Sequence, residues 1–369
     1  SDWSSDVCSS DLAPNLDPLT GPINMIGKTF IKQITMHLNG KPVYNSGDMY
    51  AYKAYLETQL NYGTDAKNSH LQAALYNKDT PFNQIDNDQN TGLQTRAVVF
   101  RTSQWVEVMA PIHCDLFDQH KYLVNYTKLY LGIHRNSDAF CIMSPNAAQN
   151  YKLEVRNMKW YIKTVEVSKA VSIGLEKALL QNTAKYPIRR VETKTLELHP
   201  GVFQTPNTPV FNGQIPRRMV FGCVDRDAYN GTYAKSPFNF KNMTATHVHV
   251  TAAGQSYPME PIQMDYEENV YKRAFIQLFE GLGVSDDNKG NGISLLDFKT
   301  GGMCLYAFDM SPDEDDGNHW DLVKTGATHI TMRFSTAIPA GGAELIVYAE
   351  FDNLLSIDHD RNVFTDYTP

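Results

Sequence analysis

The most constraining feature of this chain is a period of two. Short stretches in which apolar and polar residues alternate recur along it, separated by long loops rich in Asn, Asp, Gly, Pro and Ser. Alternation places apolar side chains on one face of an extended strand, which commits the chain to half-buried β-sheets. Ile34, Met36 and Leu38 alternate with Gln33, Thr35 and His37 ahead of an Asn39-Gly40 turn. Leu129, Leu131 and Ile133 alternate with Lys128, Tyr130 and His134. Further strands are expected at 152–156, 160–167, 191–198, 218–224, 246–251, 329–334 and 344–351, with long loops at 77–91, 200–216 and 311–318.

Three helices are expected to interrupt this pattern. Asp48 is read as the cap of a helix carrying Met49, Tyr52, Leu56 and Leu60 on one face, ended by Gly63. Ser168 caps a second with Val171, Leu175 and Leu179, and Asp265 opens a third with Tyr271, Phe275, Leu278 and Leu282. The organisation repeats approximately, because each half offers strands, a long connection carrying a helix, and more strands. Many short antiparallel strands with long loops point to an all-β fold with a few helices, arranged as a tandem double jelly roll rather than a parallel α/β sheet. The first jelly roll is placed at 13–167, a linker helix and turn at 168–187, the second jelly roll at 188–358 and a tail at 359–369. Ser1–Leu12 reads SDWSSDVCSSDL, has no strand or helical period, and resembles the in-frame translation of a sequencing-library adaptor. It is expected to lie outside the fold.

Composition narrows the function classes. The 369 residues suffice for two or three domains, and 42% hydrophobic residues allow large cores. No apolar run approaches the roughly 20 residues of a membrane-spanning helix. A formal charge of −8 argues against sequence-independent nucleic-acid binding, which needs a surplus of Lys and Arg facing phosphates. The five cysteines are scattered, with no pair at zinc-ligand spacing, and read as buried free thiols. Trp160 and Trp320 read as structural.

Catalytic signatures mostly fail. No phosphate-binding loop, dinucleotide fingerprint, HExxH helix or GxSxG elbow is present. His247 and His249 are the metal candidates, since alternate strand residues share a sheet face. A third ligand is missing at the right spacing, because Val250–Gly254 reads VTAAG and the next acid is Glu260. Two histidines on a solvated or interface-facing strand fit better, and no cofactor is expected. The acidic runs at 286–292 and 313–317 fail the calcium-loop spacing: starting at Asp287, position 3 is Lys289 and position 12 is Phe298. They read as solvated turns, with a surface cation near Asp313, Asp315 and Asp316 as the alternative. His113-Cys114-Asp115 is not read as a catalytic cluster, since adjacent strand residues face opposite ways. Cys114 reads as a small core residue. The pairs Arg189-Arg190 and Arg217-Arg218 are too few for a nucleic-acid stripe and are expected to meet acidic loops of a neighbouring subunit.

Seven segments carry a family resemblance. They are AYKAYLETQLNYGTDAKNSHL at Ala51–Leu71, CDLFDQHKYLVN at Cys114–Asn125, AKYPIRRVETKTLEL at Ala184–Leu198 and GQIPRRMVFGCVD at Gly213–Asp225. SPFNFKN at Ser236–Asn242, NHWDLVKTG at Asn318–Gly326 and VYAEFDNLLSID at Val347–Asp358 complete the set. Together they resemble the hexon-type major capsid protein of Polinton/Maverick elements and the related adintoviruses. The resemblance implies double jelly rolls that form homotrimers, each a pseudo-hexameric capsomer of an icosahedral shell, with no catalytic role. It also implies neighbouring capsomers and a penton or minor capsid protein as partners, the virion as location, and a first jelly roll lacking its opening strand or strands. On this reading Tyr50, Tyr52, Tyr55 and Tyr62, with Tyr44 nearby, are candidates for subunit contact, because tyrosine combines apolar area with a polar tip. Two other readings remain open: a cupin-like metalloenzyme built on His247 and His249, and a carbohydrate-binding jelly-roll module.

Overall fold

A computed structural model describes residues 20–80, 90–146, 148, 150–286, 288, 290–311 and 323–368, with the backbone alone of Asp2–Ser9. Among the described residues the second half builds nine strands, of which Val363–Thr365 pairs only with the end of Ala343–Ile357; the other eight in chain order are Ala184–Leu198, Phe211–Gln214, Arg218–Asp225, Ala245–Ala252, Gln255–Gln263, Tyr306–Asp309, Thr325–Phe334 and Ala343–Ile357. One antiparallel sheet orders them first, eighth, third, sixth, and the other second, seventh, fourth, fifth. The chain therefore crosses between sheets at nearly every connection, which is the interleaved Greek-key winding of a jelly roll.

The first half repeats that pairing. Asp2–Ser9 lies between Val106–Pro111 and Leu153–Tyr161, as the third strand of the second half lies between the sixth and eighth. Ile31–Leu38 lies between Lys41–Asn45 and Leu129–Arg135, as the fourth lies between the fifth and seventh. The segment Asp2–Ser9, expected outside the fold, thus takes a place in a sheet. Ladder hydrogen bonds come from main-chain groups, so pairing does not require an alternating side-chain pattern.

In both halves the connection between corresponding strands carries a helix. Tyr50–Asn61 follows Lys41–Asn45, and Lys272–Gly281 follows Gln255–Gln263. Two expected caps move. Asp48 sits in a short turn, Gly47–Met49, and pairs with Lys32 at 2.8 Å. The Asp265 carboxylate accepts from the backbone N–H groups of Glu267 and Glu268, closing a turn well ahead of the helix. Ser168 caps Lys169–Leu179 as expected, accepting from the Val171 N–H at 3.4 Å.

Two strands also differ from expectation. Leu153–Tyr161 is one strand, and the chain after Tyr161 is irregular up to Ser168. The strand expected from Val191 begins at Ala184 and includes Pro187, which is tolerated because this strand is an edge, paired only with Ala343–Ile357. Trp160 is half-buried against the ring of Phe117, whereas Trp320 lies outside the described residues. Cys114, Cys141, Cys223 and Cys304 are buried free thiols. One continuous apolar core runs through both halves. No helix among the described residues is long and apolar enough to cross a membrane.

The Lys272–Gly281 helix lies directly on Tyr306–Asp309, and a Cβ on Gly281 would collide with the Ala307 backbone. Gly281→Ala is expected to cost about 1–3 kcal/mol, read as a lower urea midpoint with an unchanged slope.

Candidate functional site at the junction of the two halves

The helix Tyr50–Asn61 buries every residue except Asn61. A helix enclosed on all sides must find partners for its polar residues as well as its apolar ones. Its aromatic side faces the second half. Tyr55 stacks on Phe238 with ring centroids 4.1 Å apart and planes within 5°, and its hydroxyl lies 3.7 Å from the Met303 sulfur. Tyr52 meets Tyr229 at 5.9 Å and Phe238 edge-on at 5.5 Å. Tyr50 accepts the His113 backbone N–H at 3.0 Å. With exposures of 0%, 2% and 0%, Tyr50, Tyr52 and Tyr55 have no surface to offer another subunit. The expectation of subunit contact is corrected for these three by their burial: the rings of Tyr52 and Tyr55 join the halves of one chain, and Tyr50 bonds His113 within the first half. Tyr62 is half-buried and meets His70 edge-on at 6.0 Å.

The opposite side of the helix carries charge. The Lys53 ammonium donates to Asp115, lies 3.7 Å from Glu57 and donates to the Tyr44 hydroxyl at 3.0 Å. Lys28 donates to Thr58 at 2.8 Å and to His113 Nε2 at 2.9 Å. Nε2 is therefore the acceptor, and His113 Nδ1–H donates to Glu57 at 2.6 Å. The other Asp115 oxygen accepts the Val191 N–H at 3.0 Å, and the Tyr348 hydroxyl lies 3.3 Å from Glu57, so the cluster also ties the two halves together. Burial opposes ionisation of Glu57, yet the Lys53 charge and the His113 hydrogen bond hold its carboxyl down at about 2. Burial and the Lys28 charge push His113 down to about 4, so the ring is neutral. Burial lowers and the Asp115 charge raises the Lys53 ammonium; the charge wins and the amine stays protonated.

A cleft of about 730 Å³ opens beside this cluster, lined by Glu57, His113, Asp115, Arg189, Arg218 and Asp352 among others. His113 and Asp115 both line it, carried there by a tight turn in which the Cys114 N–H donates to the Ile112 carbonyl at 3.1 Å. Cys114 points away, fully buried, and burial pushes its thiol well up. A protonated thiol packed in the core has no nucleophilic character. The arrangement is a charge-balanced clamp.

The arginines expected to reach a neighbouring subunit already meet acids of their own chain. Arg217 and Arg189 lie 3.7 and 3.6 Å from Asp352. Arg218 lies 3.6 Å from Asp309 and 3.7 Å from Glu350. Arg190 donates to Asn353 at 2.8 Å and covers the rings of Phe351 and Tyr367. These acids come from Tyr306–Asp309 and Ala343–Ile357, strands far away in sequence but beside Arg218–Asp225 in the sheet.

His247 and His249 share one sheet face, opposite Arg333 and Thr331 of the next strand. Burial and the Arg333 charge lower His249. Among the described residues no group of three or more His, Cys, Asp or Glu is placed to hold a metal ion. Asp313, Asp315 and Asp316, like Asp287 and Lys289, lie outside the described residues. The junction cluster itself escaped the sequence reading. Its available signals were Lys53 and Glu57 four residues apart in a tyrosine-rich helix, and a His and an Asp two residues apart at 113 and 115.

The winding of both halves is that of the double jelly roll. A chain from the structure of the Sputnik virophage matches with a TM-score of 0.62 at 11% identity, covering 99% of this chain and 81% of that one. The mavirus major capsid protein matches with a TM-score of 0.50 at 13% identity, covering 100% of this chain and 84% of that one. The fold is thus that of double jelly-roll viral major capsid proteins. No family model matches the chain. Uncharacterized protein F54H12.2 of Caenorhabditis elegans is 32% identical over 348 residues, 94% of this chain and 81% of that protein, and the chain belongs to the same family as that nematode protein.

Two outcomes follow from the clamp. Lys53→Met is expected to cost about 3–5 kcal/mol by leaving Asp115 buried without its cation, with Lys53→Met/Asp115→Asn costing less than the two single changes together. The His113 pKa lies below its unfolded value, so its contribution is present above pH 6.5 and lost as pH falls toward 4. The loss amounts to about 3 kcal/mol. In urea titrations from pH 7.5 to 4.5, His113→Gln should flatten this slope; an unchanged slope would exclude His113 as its source.

Proposed function

We propose that the chain is a structural major capsid protein of the Polinton/adintovirus type, forming homotrimers that serve as pseudo-hexameric capsomers of an icosahedral shell. One observation carries this reading: the two halves repeat one strand pairing and share a core in which a buried helix lies between them. A subunit of two like lobes, held rigidly, converts threefold symmetry into six similar lobes around an axis, which is the shape that tiles a hexagonal net. The capsid fold of the solved relatives supports the same reading.

On this reading the buried charges of the junction hold the lobes in register and perform no catalysis. The partners are neighbouring capsomers and a penton or minor capsid protein, the location is the virion, and no cofactor takes part. The seven segments noted above support the Polinton/adintovirus assignment. Light scattering tests the assembly step directly. A mass three times the 41.6 kDa monomer is expected at micromolar concentration, and a stable monomer would overturn the capsomer reading.

A further inference from the structure

The linker helix Lys169–Leu179 leaves its surface largely uncovered. Only Leu179 is buried, and every residue from Tyr161 to Ala170 is exposed. A helix of eleven residues is marginal in water without a packed face. Lys169, Ile173, Lys177 and Leu180 follow at helical spacing along one stripe, with Ile173 and Leu180 exposed at 57% and 68%. Lys159 and Lys163 extend the basic character upstream. Glu176, one of two acids between 159 and 177, is already engaged by Arg361.

A second surface has the opposite charge. Residues 259–270 hold Glu260, Asp265, Glu267 and Glu268 and no Lys or Arg. Met259 and Val270 stand out of this stretch at 93% and 58% exposure. Arg273, just beyond it, donates to the Glu260 carbonyl at 3.1 Å and holds the two ends of the stretch together. Lys299 also reaches the stretch, donating to Asn269 at 2.6 Å, so the acids there are in excess rather than alone. Both surfaces mix exposed apolar side chains with an excess of one charge, and both remain open within a single chain, so neither covers the other.

We propose that the stripe Lys169, Ile173, Lys177 and Leu180 of one copy docks on the Met259–Val270 surface of a second copy of this chain. This rests on the trimeric reading above and names the surfaces through which the copies meet. The occupant is a second copy because the chain itself carries the complement in charge and in apolar character. The contact is heterologous, each copy using its basic stripe toward one neighbour and its acidic surface toward the other, and in a closed threefold ring neither surface is left over. Ile173 and Leu180 supply the apolar area, while the lysines and glutamates set orientation and partner choice.

Charge exchange tests this on the full chain. Lys163→Glu/Lys169→Glu/Lys177→Glu and, separately, Glu260→Lys/Glu267→Lys/Glu268→Lys are expected to weaken the trimer about tenfold or more by light-scattering dilution. An equimolar mixture of the two variants should recover part of the association, because each supplies the sign the other lost. Far-UV circular dichroism and the thermal midpoint confirm folding, and milder Lys→Gln and Glu→Gln sets replace any variant that fails that check. A trimeric wild type whose mass neither set changes overturns the docking surfaces and leaves the trimer standing. A monomeric wild type overturns both. Vesicles of phosphatidylserine and phosphatidylcholine form a separate arm: binding lost in the lysine set, with mass unchanged, would assign the stripe to an anionic membrane and overturn the proposal.

Discussion

The rest of the structure depends on a set of charges buried against one another. Lys53, Glu57, Asp115 and Lys28 gather around a neutral His113 at the point where the two halves meet. Each removed from its partners would cost several kcal/mol, so the groups must arrive together or not at all. Their ligands come from the first half and, through Val191 and Tyr348, from the second. Such a cluster specifies register more than it adds stability, because a sliding lobe would strand a charge at every displaced position.

The aromatic side of the same helix supplies the attraction that the charges cannot. Tyr52 and Tyr55 enter a ring cluster with Phe238, Phe240 and Tyr229 of the second half. Burial of apolar surface favours closing the junction, and the polar cluster selects the one closed arrangement. Although both halves place a helix in the same connection, the two helices serve differently. Lys272–Gly281 covers the Tyr306–Asp309 strand of its own half, with Ile276 exposed, while Tyr50–Asn61 is enclosed between halves. One strand plan thus accommodates a covering helix in one copy and a wedge in the other.

Much of the fold was legible because strand alternation is a local property. Ile31–Leu38, Leu129–Arg135 and Ala245–Ala252 lie within a few residues of where alternation places them. The strands that were missed, such as Val106–Pro111, Phe211–Gln214 and Tyr306–Asp309, are short, and their pairing depends on a neighbour far away in sequence. The candidate site was much less legible. Lys53 and Glu57 have the spacing of an ordinary exposed helical pair, and Arg217-Arg218 has the composition of a surface patch. Their burial is decided by Asp115, Asp309, Glu350 and Asp352, which only the folded sheet brings to them.

By itself the sequence determined the double set of antiparallel strands, the helix in each long connection and the Ser168 cap. All follow from side-chain periodicity and from hydrogen bonds spanning a few residues. Only the tertiary structure decided which faces became interior. It enclosed the tyrosines of Tyr50–Asn61 that looked suited to subunit contact, and on Lys169–Leu179 it covered Leu179 while leaving Val171 and Leu175 bare. A helix pattern states that an apolar face exists; what covers that face depends on contacts between distant residues, and these form only when the sheets have closed.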